Sequence, residues 1–338
     1  MTSIKDVARS VGVSTATVSR ALRGLPRVSE ETRFRVLQAA AELDYVASPS
    51  AAGLATGQTR AVGVVVPVVS RWFFGSVVQG ADIPLRDAGY DLLLYNLGGD
   101  RETRRRVFGT HLSNKRVDAV LVLSLTPTDE ELAWLTRLDR PVVVVGASVP
   151  GWSSVCIDDE ETACIAMRHL LALGHRHIGY IGGSLEDQLD FAAPLDRLLG
   201  YRRAMVDAGL DALPQWEAVG DFTVRGGLAA MRLVLASEPR PTAVFAASDE
   251  MAVGAVHAVR EAGLRVPQDV SIIGIDDHEM AEFFDLSTVA QPVHEQGRLA
   301  AQLLIATMRN DPGHRMAPSA VTIPTRLVVR GTTGPPPP

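Results

Sequence analysis

Residues 2–24 read TSIKDVARSVGVSTATVSRALRG and predict two short helices joined by a tight turn. In the first helix apolar side chains recur at intervals of three and four residues, which places them on one face: Ile4, Val7, Ala8 and Val11. Gly12 ends this helix because glycine accommodates the turn, and Ser14 follows in position to cap the second helix. The second helix turns Val18 and Leu22 back towards the first.

A third helix is expected to follow. Gly24 and Pro26 end the second helix, and Ser29 is placed to cap the next one. The predicted buried stripe of the third helix consists of Val36, Leu37, Ala40 and Leu43. The outer face of the second helix carries Thr15, Ala16, Ser19, Arg20 and Arg23. Three helices with this turn are typical of a DNA-reading head, because the second helix is narrow enough to enter the major groove.

Charge is distributed unevenly along the chain. Residues 1–60 hold eight basic and five acidic side chains, a net charge of +3, so the other 278 residues carry −9 of the total of −6. A small basic segment attached to a larger acidic one indicates an anionic partner for the basic segment. A solvated helical surface is the alternative that charge alone leaves open.

Composition excludes several classes of protein. The chain has 338 residues, of which 46 % are apolar and 21 % are charged, so it is long enough for about two or three domains and is mostly ordered. Two cysteines, Cys156 and Cys164, are too few for a disulfide scaffold, and we expect both to be reduced core thiols. The longest apolar run, residues 62–69, is too short for a membrane helix and is broken by Pro67. The N-terminus lacks a secretory signal pattern, which predicts a cytoplasmic protein.

Motifs for catalysis and metal binding are not evident. The sequence GYIGG at residues 179–183 follows a predicted strand but does not spell GxGxxG, and no P-loop or Gly-x-Ser-x-Gly occurs. His175 and His177 lack a third ligand at metal spacing. We therefore expect neither an enzyme nor a metal or cofactor site, although a pair such as Asp276 with His278 leaves an enzyme as an alternative.

From Ala61 onwards, short β-branched runs alternate with helical patterns, which predicts two parallel sheets covered on both faces. The predicted strands are Val62–Val69, Asp91–Asn96, Asp118–Ser124, Pro141–Gly146, His177–Gly183, Ala243–Ser248 and Val270–Asp276. The predicted helices are Gly75–Ala88, Asp100–Lys115, Glu160–Leu173, Asp196–Ala208, Val224–Ala236 and Glu250–Ala262. The return segments Thr288–Pro292 and Val321–Arg330 are expected to cross between two lobes.

Ligands of such sheets bind at the carboxyl ends of the strands, here in a cleft between the lobes. Carboxylates and a guanidinium can each hold vicinal hydroxyls through two hydrogen bonds, and an aromatic face covers the apolar side of a sugar ring. The polar candidates are Ser70, Asp158, Arg197, Ser248 and Asp276. The aromatic candidates are Phe73, Phe74 and Phe222. Helix capping, ion pairing and core packing are the alternative roles for these side chains.

The head resembles the lactose/galactose repressor family at residues 2–8, 12–14, 16–20 and 28–33 (TSIKDVA, GVS, ATVSR and VSEETR). The resemblance implies that Thr15, Ala16 and Arg20 read base edges, which agrees with the ability of arginine to donate two hydrogen bonds to guanine. It implies phosphate contacts for Ser14, Thr17 and Ser19, and we add Arg23 and Ser29 to the DNA-binding set. The small-residue segment 47–59 corresponds to a hinge that becomes helical only on operator DNA, with Leu54 as a wedge in the minor groove.

The rest of the chain resembles the periplasmic-sugar-binding fold that forms the effector core of the same family, at RHL (168–170), LGH (173–175), GY (200–201), PTAVF (241–245), DEMA (249–252), GIDD (274–277) and QP (291–292). This implies an α/β architecture with Arg197 and Asp276 as the main effector contacts. The expected domains are a helix-turn-helix head (1–46), the hinge (47–59) and a core (60–330). Within the core we assign 60–158 and 292–320 to one lobe, and 159–290 and 321–330 to the other.

The resemblance implies a homodimeric repressor of sugar uptake or catabolism genes, released from a palindromic operator by a saccharide. A corepressor-dependent regulator with a purine-like effector is the alternative within the family, and a solute-binding protein is the alternative outside it. Residues 331–338 end in four prolines without heptad leucines, so we expect a disordered tail and no tetramerising helix.

Overall fold

The computed structural model describes residues 2–45, 58–114, 116–185, 193–309 and 317–338. The chain divides into two compact units, Met1–Arg60 and Ala61–Pro338, which we call the head and the body. Most of the predicted hinge, including Leu54, lies outside the described residues.

The described part of the head consists of three helices, α1 (Ile4–Val11), α2 (Thr15–Leu22) and α3 (Glu30–Glu42). Gly12 adopts a left-handed φ of 75° after α1, a conformation that a Cβ disfavours. The three helices bury a common core of Val7, Ala8, Val11, Val18, Ala21, Val36, Ala39 and Ala40. The predicted burial of Leu37 is wrong, because its side chain is 48 % exposed. The spacing of Val36, Ala39 and Ala40 places those residues on the buried face, and Leu37 is rotated by about 100° from Val36 around the helix.

The body contains two six-stranded sheets, each belonging to one lobe. In order across the first sheet, the strands are β11 (Ala320–Thr322), β5 (Ser153–Cys156), β4 (Val142–Val145), β3 (Ala119–Leu123), β1 (Ala61–Val66) and β2 (Asp91–Asn96). In order across the second, they are β12 (Arg326–Val328), β10 (Ser287–Ala290), β9 (Ser271–Asp276), β8 (Ala243–Ala246), β6 (Ile178–Gly182) and β7 (Glu217–Val219). All pairings are parallel except that of β10 with β12. The predicted α/β fold with two parallel-sheet lobes is confirmed.

Helices cover the faces of both sheets. They are α4 (Trp72–Asp87), α5 (Arg101–Arg106), α6 (Asp129–Leu138), α7 (Asp159–Ala172), α8 (Ala193–Asp207), α9 (Val224–Leu235), α10 (Asp249–Glu261), α11 (Met280–Phe283) and α12 (Val293–Arg309). Short 3₁₀ turns lie at Leu112–Asn114 and Pro214–Trp216. The prediction of one helix over residues 100–115 is wrong, because α5 gives way to a wider π-type turn at Val107–His111. Gly109 lies in this turn, where a Cβ would come within 3.3 Å of the Trp134 ring.

The chain crosses between the lobes within residues 321–330, as predicted, because β11 belongs to the first sheet and β12 to the second. The predicted start of the second lobe at residue 321 is wrong, since Val321 pairs with Val155 in the first sheet. The unpredicted helix α12 belongs to the first lobe and packs on α4 at two glycines. A Cβ on Gly80 would lie 2.1 Å from the His294 carbonyl oxygen, and one on Gly297 would lie 2.0 Å from that of Val77. These contacts hold α12 close beneath the cleft.

The C-terminal residues 331–338 are docked on the second lobe, which corrects the predicted disordered tail. The Thr332 side chain is buried; its hydroxyl donates to the Ile272 carbonyl at 2.7 Å and accepts from the Ser287 amide at 2.8 Å. The Gly334 carbonyl accepts a hydrogen bond from His175 Nε2 at 2.8 Å. The tail is ordered because its polar groups pair with groups that the second sheet would otherwise leave unpaired.

We expect Thr332→Val to lower the free energy of unfolding by about 1–3 kcal/mol, because it removes both partners of a buried carbonyl and amide while keeping the side-chain volume. Urea denaturation measures the change. Thr136→Val is the matched control, since the Thr136 hydroxyl bonds only within its own exposed helix turn. Equal stability of Thr332→Val and wild type would contradict the docked tail.

Candidate functional site

The outer face of α2 presents the predicted DNA-binding residues as a surface. Ser14 caps the helix as expected, because its hydroxyl accepts a hydrogen bond from the Thr17 amide at 3.1 Å. Thr15, Ala16 and Arg20 are exposed, and Ser19 is half-buried. Ser29 caps α3 by accepting from the Thr32 amide at 3.2 Å. The face therefore combines a positive charge with hydroxyl and methyl groups.

Four arginines of the head fall into two groups. Arg33 donates to the Leu25 carbonyl at 2.9 Å and Arg35 to the Val11 carbonyl at 2.8 Å, so both hold the three helices together. Arg20 and Arg23, by contrast, are exposed and have no hydrogen-bond or ion-pair partner within the described part of the chain. They are available to an external anion.

The second candidate site is a cavity of about 480 Å³ between the two sheets of the body. Its wall contains a residue shortly after the end of almost every parallel strand, as the strand-end rule predicts. These residues are Val68, Gly99, Ser124, Gly146, Ile157, Ser184, Asp221, Ser248, Asp276 and Gln291. The other wall residues among those that the structure describes are Arg71, Phe73, Phe74, Asp159, Ala193, Pro194, Arg197, Phe222, Glu250 and Gln296.

The structure brings six of the eight predicted effector residues to this wall: Phe73, Phe74, Arg197, Phe222, Ser248 and Asp276. It does not bring the other two. Ser70 is exposed, and the Asp158 carboxylate is turned to the start of α7, where it accepts from the Glu161 amide at 2.8 Å. The neighbouring Asp159 lies in the wall instead of Asp158, because consecutive side chains at the start of a helix point in directions about 100° apart.

Arg197 is the central charged group of the cavity. Its Nε donates to Asp159 Oδ1 at 2.7 Å, its Nη1 donates to the Ala247 carbonyl, and its guanidinium carbon lies 6.0 Å from the centre of the Phe222 ring. Burial opposes the charge of the guanidinium, but the carboxylates of Asp159 and Asp276 outweigh it and raise the pKa of Arg197. The side chain is thus held rigidly as a donor in the wall of the cavity.

Asp276 lies at the end of β9 and accepts a hydrogen bond from Gln291 Nε2 at 2.6 Å. Burial raises the pKa of its carboxyl to about 6, against the attraction of Arg197 and the hydrogen bond from Gln291. Asp249 lies next to it, and burial together with the negative charge of Asp276 raises the pKa of Asp249 well above its usual value. Only glycine fits at residue 274, since a Cβ there would lie 2.0 Å from Asp249 Oδ1.

We expect the stability of the wild type, relative to Asp276→Asn, to fall as the pH rises from about 4 to about 6. The pKa of Asp276 is about 6 in the folded protein and 3.8 in the unfolded chain, so the folded state binds more protons across this interval. The difference corresponds to about 3 kcal/mol. Urea unfolding in small pH steps measures it.

Asp269→Asn is the control for this pH dependence. Its hydrogen bonds with Arg265 lower the pKa of Asp269 to about 2, so that side chain stabilises the folded state above pH 3.8 and loses this effect only as the pH falls towards 2. Its contribution should be constant between about pH 4 and 6. A constant difference between wild type and Asp276→Asn across the same interval would contradict the raised pKa of Asp276.

The two lobes are also joined across the cleft by side chains. Arg71 precedes α4 in the first lobe, and its Nη1 donates to the Asp221 carbonyl at 2.5 Å and to the Phe222 carbonyl, both in the second lobe. The ring centroids of Trp72 and His278 lie 4.7 Å apart across the same gap. These contacts hold the cleft in a closed arrangement around the cavity.

Sequence reasoning missed several wall residues: Arg71, Asp159, Asp221, Glu250, Gln291 and Gln296. Asp159, Asp221 and Gln291 lie one to three residues beyond a strand, so the strand-end rule could have found them with better boundaries. Gln296 lies inside α12, a helix that the sequence analysis did not predict, and no local pattern marks it.

The described ranges were predicted to hold neither a metal site nor a membrane span. No group of three or more His, Cys, Asp or Glu side chains there is arranged to hold a metal ion. Both cysteines are free thiols; Cys164 is buried and Cys156 half-buried. No helix in the described part of the chain has the length and apolar character needed to cross a bilayer.

Comparison with known proteins relates both units to one family. Residues 3–48 match the family of bacterial regulatory proteins, lacI family. Residues 167–333 match the periplasmic binding protein-like domain. The HTH-type transcriptional repressor PurR of Vibrio campbellii is 36 % identical over 315 residues, which cover 92 % of this chain and 93 % of that one.

Two solved structures resemble the whole chain. A transcriptional regulator CelR–cellobiose complex is 33 % identical, with a TM-score of 0.73, over 98 % of this chain and 100 % of the other. The lac repressor dimer bound to operator and the anti-inducer ONPF is 26 % identical, with a TM-score of 0.85, over 98 % of this chain and 99 % of the other. The similarity therefore spans the head and both lobes of the body.

Proposed function

The chain belongs to the lacI family of bacterial regulatory proteins, and from this membership we propose that it releases operator DNA when a neutral carbohydrate fills the cavity of the body. Its family function is that of a DNA-binding transcriptional repressor that responds to a small molecule, and its relatives are repressors, not enzymes. The identity of the effector and the direction of its effect on DNA binding are the proposed parts.

The observation that carries the sugar proposal is the chemistry of the cavity wall. The buried Arg197–Asp159 pair and the Asp276 carboxyl offer rigid donors and acceptors to vicinal hydroxyl groups. Phe73 and Phe222 offer aromatic faces to the apolar side of a ring. The related CelR structure contains cellobiose, which is a ligand of this chemistry.

A purine-like corepressor is the second candidate, favoured by the similarity to PurR. The same aromatic side chains would stack on a purine ring. The two candidates differ in the sign of the response, because an inducing sugar weakens operator binding whereas a corepressor strengthens it. Linkage makes either coupling reciprocal, with a typical magnitude of about 1–3 kcal/mol.

The bridge from Arg71 to the second lobe suggests how occupancy is converted into a conformational signal. A ligand that contacts both lobes stabilises the closed cleft and shifts the population towards it. The DNA affinity of the protein then depends on which cleft arrangement the DNA-bound state prefers.

We propose a homodimer acting in the cytoplasm, where chromosomal operator DNA is found. A two-fold dimer presents two heads to a near-palindromic site. The body offers exposed apolar side chains suited to such contact, with Leu93 and Leu94 on the edge strand β2 and with Phe283, which is 81 % exposed, in α11. Sedimentation should give a dimer; a stable tetramer would contradict the expected absence of a tetramerising helix.

Two measurements on the full chain test the proposed function. The first compares binding to genomic fragments and to random duplex at physiological salt, with and without cellobiose, D-ribose, D-galactose and hypoxanthine. The second is a thermal-shift assay with the same compounds, since a ligand at 100 times its Kd stabilises the folded protein by about 2.7 kcal/mol. The proposal predicts a shift with a sugar and a loss of DNA binding in its presence. It fails if no fragment is preferred over random duplex under any of these conditions.

A further inference from the structure

Glu250 supplies a carboxylate to the wall of the cavity. It is the second residue of α10, which begins shortly after β8 ends, and its side chain is half-buried. The carboxylate has no hydrogen bond or ion pair with any residue that the structure describes. A partly accessible side chain in the wall can be reached by a ligand in the cavity.

The other carboxylates of the described wall are already engaged by the protein. Each accepts at least one hydrogen bond from a protein donor, and they are Asp159, Asp221 and Asp276. A carboxylate that loses part of its hydration needs hydrogen bonds to replace it, and folded proteins supply them to most such groups. Glu250 is the one carboxylate of the described wall that receives no such bond.

Two electrostatic effects indicate that the Glu250 carboxylate lies on the cavity side of α10. Burial raises the pKa of its carboxyl, and the positive charge of Arg71 in the first lobe partly opposes this rise. Burial is also the main cause of the raised pKa of Asp276, and the negative charge of Glu250 raises it further. Arg71 and Asp276 both belong to the wall, so the carboxylate that interacts with both of them lies near the cavity.

The charges of the wall are unfavourable for an anion. Its described residues include four carboxylates and two guanidinium groups, a net charge of −2. Arg197 is paired with Asp159, and Arg71 donates to two carbonyl groups of the second lobe. Both arginines are thus engaged before a ligand binds, whereas an anionic ligand would bring its charge towards Glu250 and Asp276.

We propose that Glu250 sets the charge selectivity of the cavity. Its carboxylate accepts a hydrogen bond from a hydroxyl group of a neutral effector and excludes anionic sugars, such as sugar phosphates and sugar acids. An ionised carboxylate only accepts hydrogen bonds, so a hydroxyl group satisfies it, whereas an ionised phosphate or a second carboxylate repels it. This inference rests on the proposed carbohydrate effector and adds a specificity-determining residue to it.

The test uses full-length protein at neutral pH and the sugar among cellobiose, D-ribose and D-galactose that gives the largest thermal shift with wild type. Calorimetry measures the Kd of this sugar for wild type, Glu250→Gln and Glu130→Gln. We expect Glu250→Gln to raise Kd about 5- to 10-fold, because a hydrogen bond to a charged acceptor becomes one to a neutral acceptor.

Glu130→Gln is the matched control, and we expect it to leave Kd unchanged. A negative charge in the first turn also stabilises a helix, which is a role that Glu250 could fill without any ligand. Glu130 holds the same second position in α6, is exposed and lies outside the described wall. Its substitution therefore removes the same charge from the same place in a helix.

An anionic derivative of the same sugar tests the charge selectivity directly. The derivative is D-ribose 5-phosphate for D-ribose, D-galacturonate for D-galactose and 6-phosphocellobiose for cellobiose. We expect the ratio of the Kd of the derivative to that of the neutral sugar to fall about 10-fold in Glu250→Gln and to stay constant in Glu130→Gln. A purely structural role of Glu250 would change both Kd values by the same factor.

Glu250→Met removes the acceptor as well as the charge. It should produce the same fall in the ratio with a larger loss of affinity for the neutral sugar, and it serves if the glutamine variant does not fold.

The outcomes distinguish this inference from the proposed function. An unchanged ratio in Glu250→Gln, an equal fall in Glu130→Gln, or a derivative that binds wild type as tightly as the neutral sugar overturns the role of Glu250 while the sugar-responsive function stands. Hypoxanthine as the only compound that shifts wild type, or no shift with any compound, overturns the carbohydrate effector and the role of Glu250 together.

Discussion

Replacing Arg197 with alanine is expected to abolish the effector response and to lower the free energy of unfolding by about 3–5 kcal/mol. The guanidinium is 5 % exposed and pairs with Asp159 at 2.7 Å. Without it, the Asp159 carboxylate is left buried without its cation, and the Ala247 carbonyl loses its donor. The effector loses its main hydrogen-bond donor at the same time. Urea denaturation measures the stability, and thermal shifts with and without the sugar measure the response.

Arg104→Ala separates the two effects of this substitution. Arg104 is also buried, and its Nε lies 2.7 Å from Glu131 Oε1 in the other lobe, away from the cavity wall. We expect a comparable loss of stability from Arg104→Ala but an unchanged effector affinity. If Arg197→Ala still responded to the effector with wild-type affinity, Arg197 would not belong to the binding site.

Replacing Arg20 with alanine is expected to weaken specific operator binding by about 1–3 kcal/mol, roughly 5- to 150-fold, while leaving the effector affinity unchanged. Arg20 lies exposed on the outer face of α2, where an arginine can donate two hydrogen bonds to a guanine in the major groove. Its removal should also relax the preference for specific over random duplex, because the lost contact reads a base. Fluorescence anisotropy with both duplexes gives the two affinities.

Arg9→Ala controls for the loss of positive charge. Arg9 is exposed in α1, where its guanidinium lies 3.3 Å from the Asp6 carboxylate. Its replacement by alanine lowers the charge of the head by one, as Arg20→Ala does. We expect Arg9→Ala to weaken binding to specific and random duplex by a similar factor, as a charge effect does. An identical effect of Arg20→Ala on both duplexes would show that Arg20 contacts phosphate rather than bases.

Local patterns were sufficient for the architecture. The stripe at Ile4, Val7 and Val11, the turn at Gly12 and the cap at Ser14 are short-range features, and the structure reproduces each of them. The alternation of β-branched runs and helices in the body likewise predicted the parallel sheets. Some errors at this level were local, as with Leu37, where one position around a helix separates a buried side chain from an exposed one, whereas the whole of helix α12 was missed.

The cavity was predicted less completely, since its wall is assembled from distant segments. Asp158 was predicted as an effector contact at the crossing between the lobes, but its carboxylate caps α7 and the neighbouring Asp159 reaches Arg197. No short-range pattern connects Gln296 with Asp276, because the two are linked through Gln291 and α12 is positioned by its packing against α4 at Gly80 and Gly297.

The position of the C-terminal segment was also not predictable from local sequence patterns. Its composition is typical of a disordered chain, with four prolines at the end. Composition takes no account of the buried partners that a folded surface offers. Thr332 and Gly334 are held by groups on β9, on β10 and at His175, and these groups come together only when the second sheet has formed.

The amino-acid sequence by itself determined the three-helix head, the two α/β lobes and the edge of the sheets at which a ligand binds, because each depends on hydrophobic periodicity and on residues close together in the chain. The tertiary structure alone decided which carboxylate faces Arg197 and where the C-terminus lies. These are questions of side-chain direction and of partners distant in the chain, such as His175 and Gly334, which are 159 residues apart, and only close packing of the folded chain settles them.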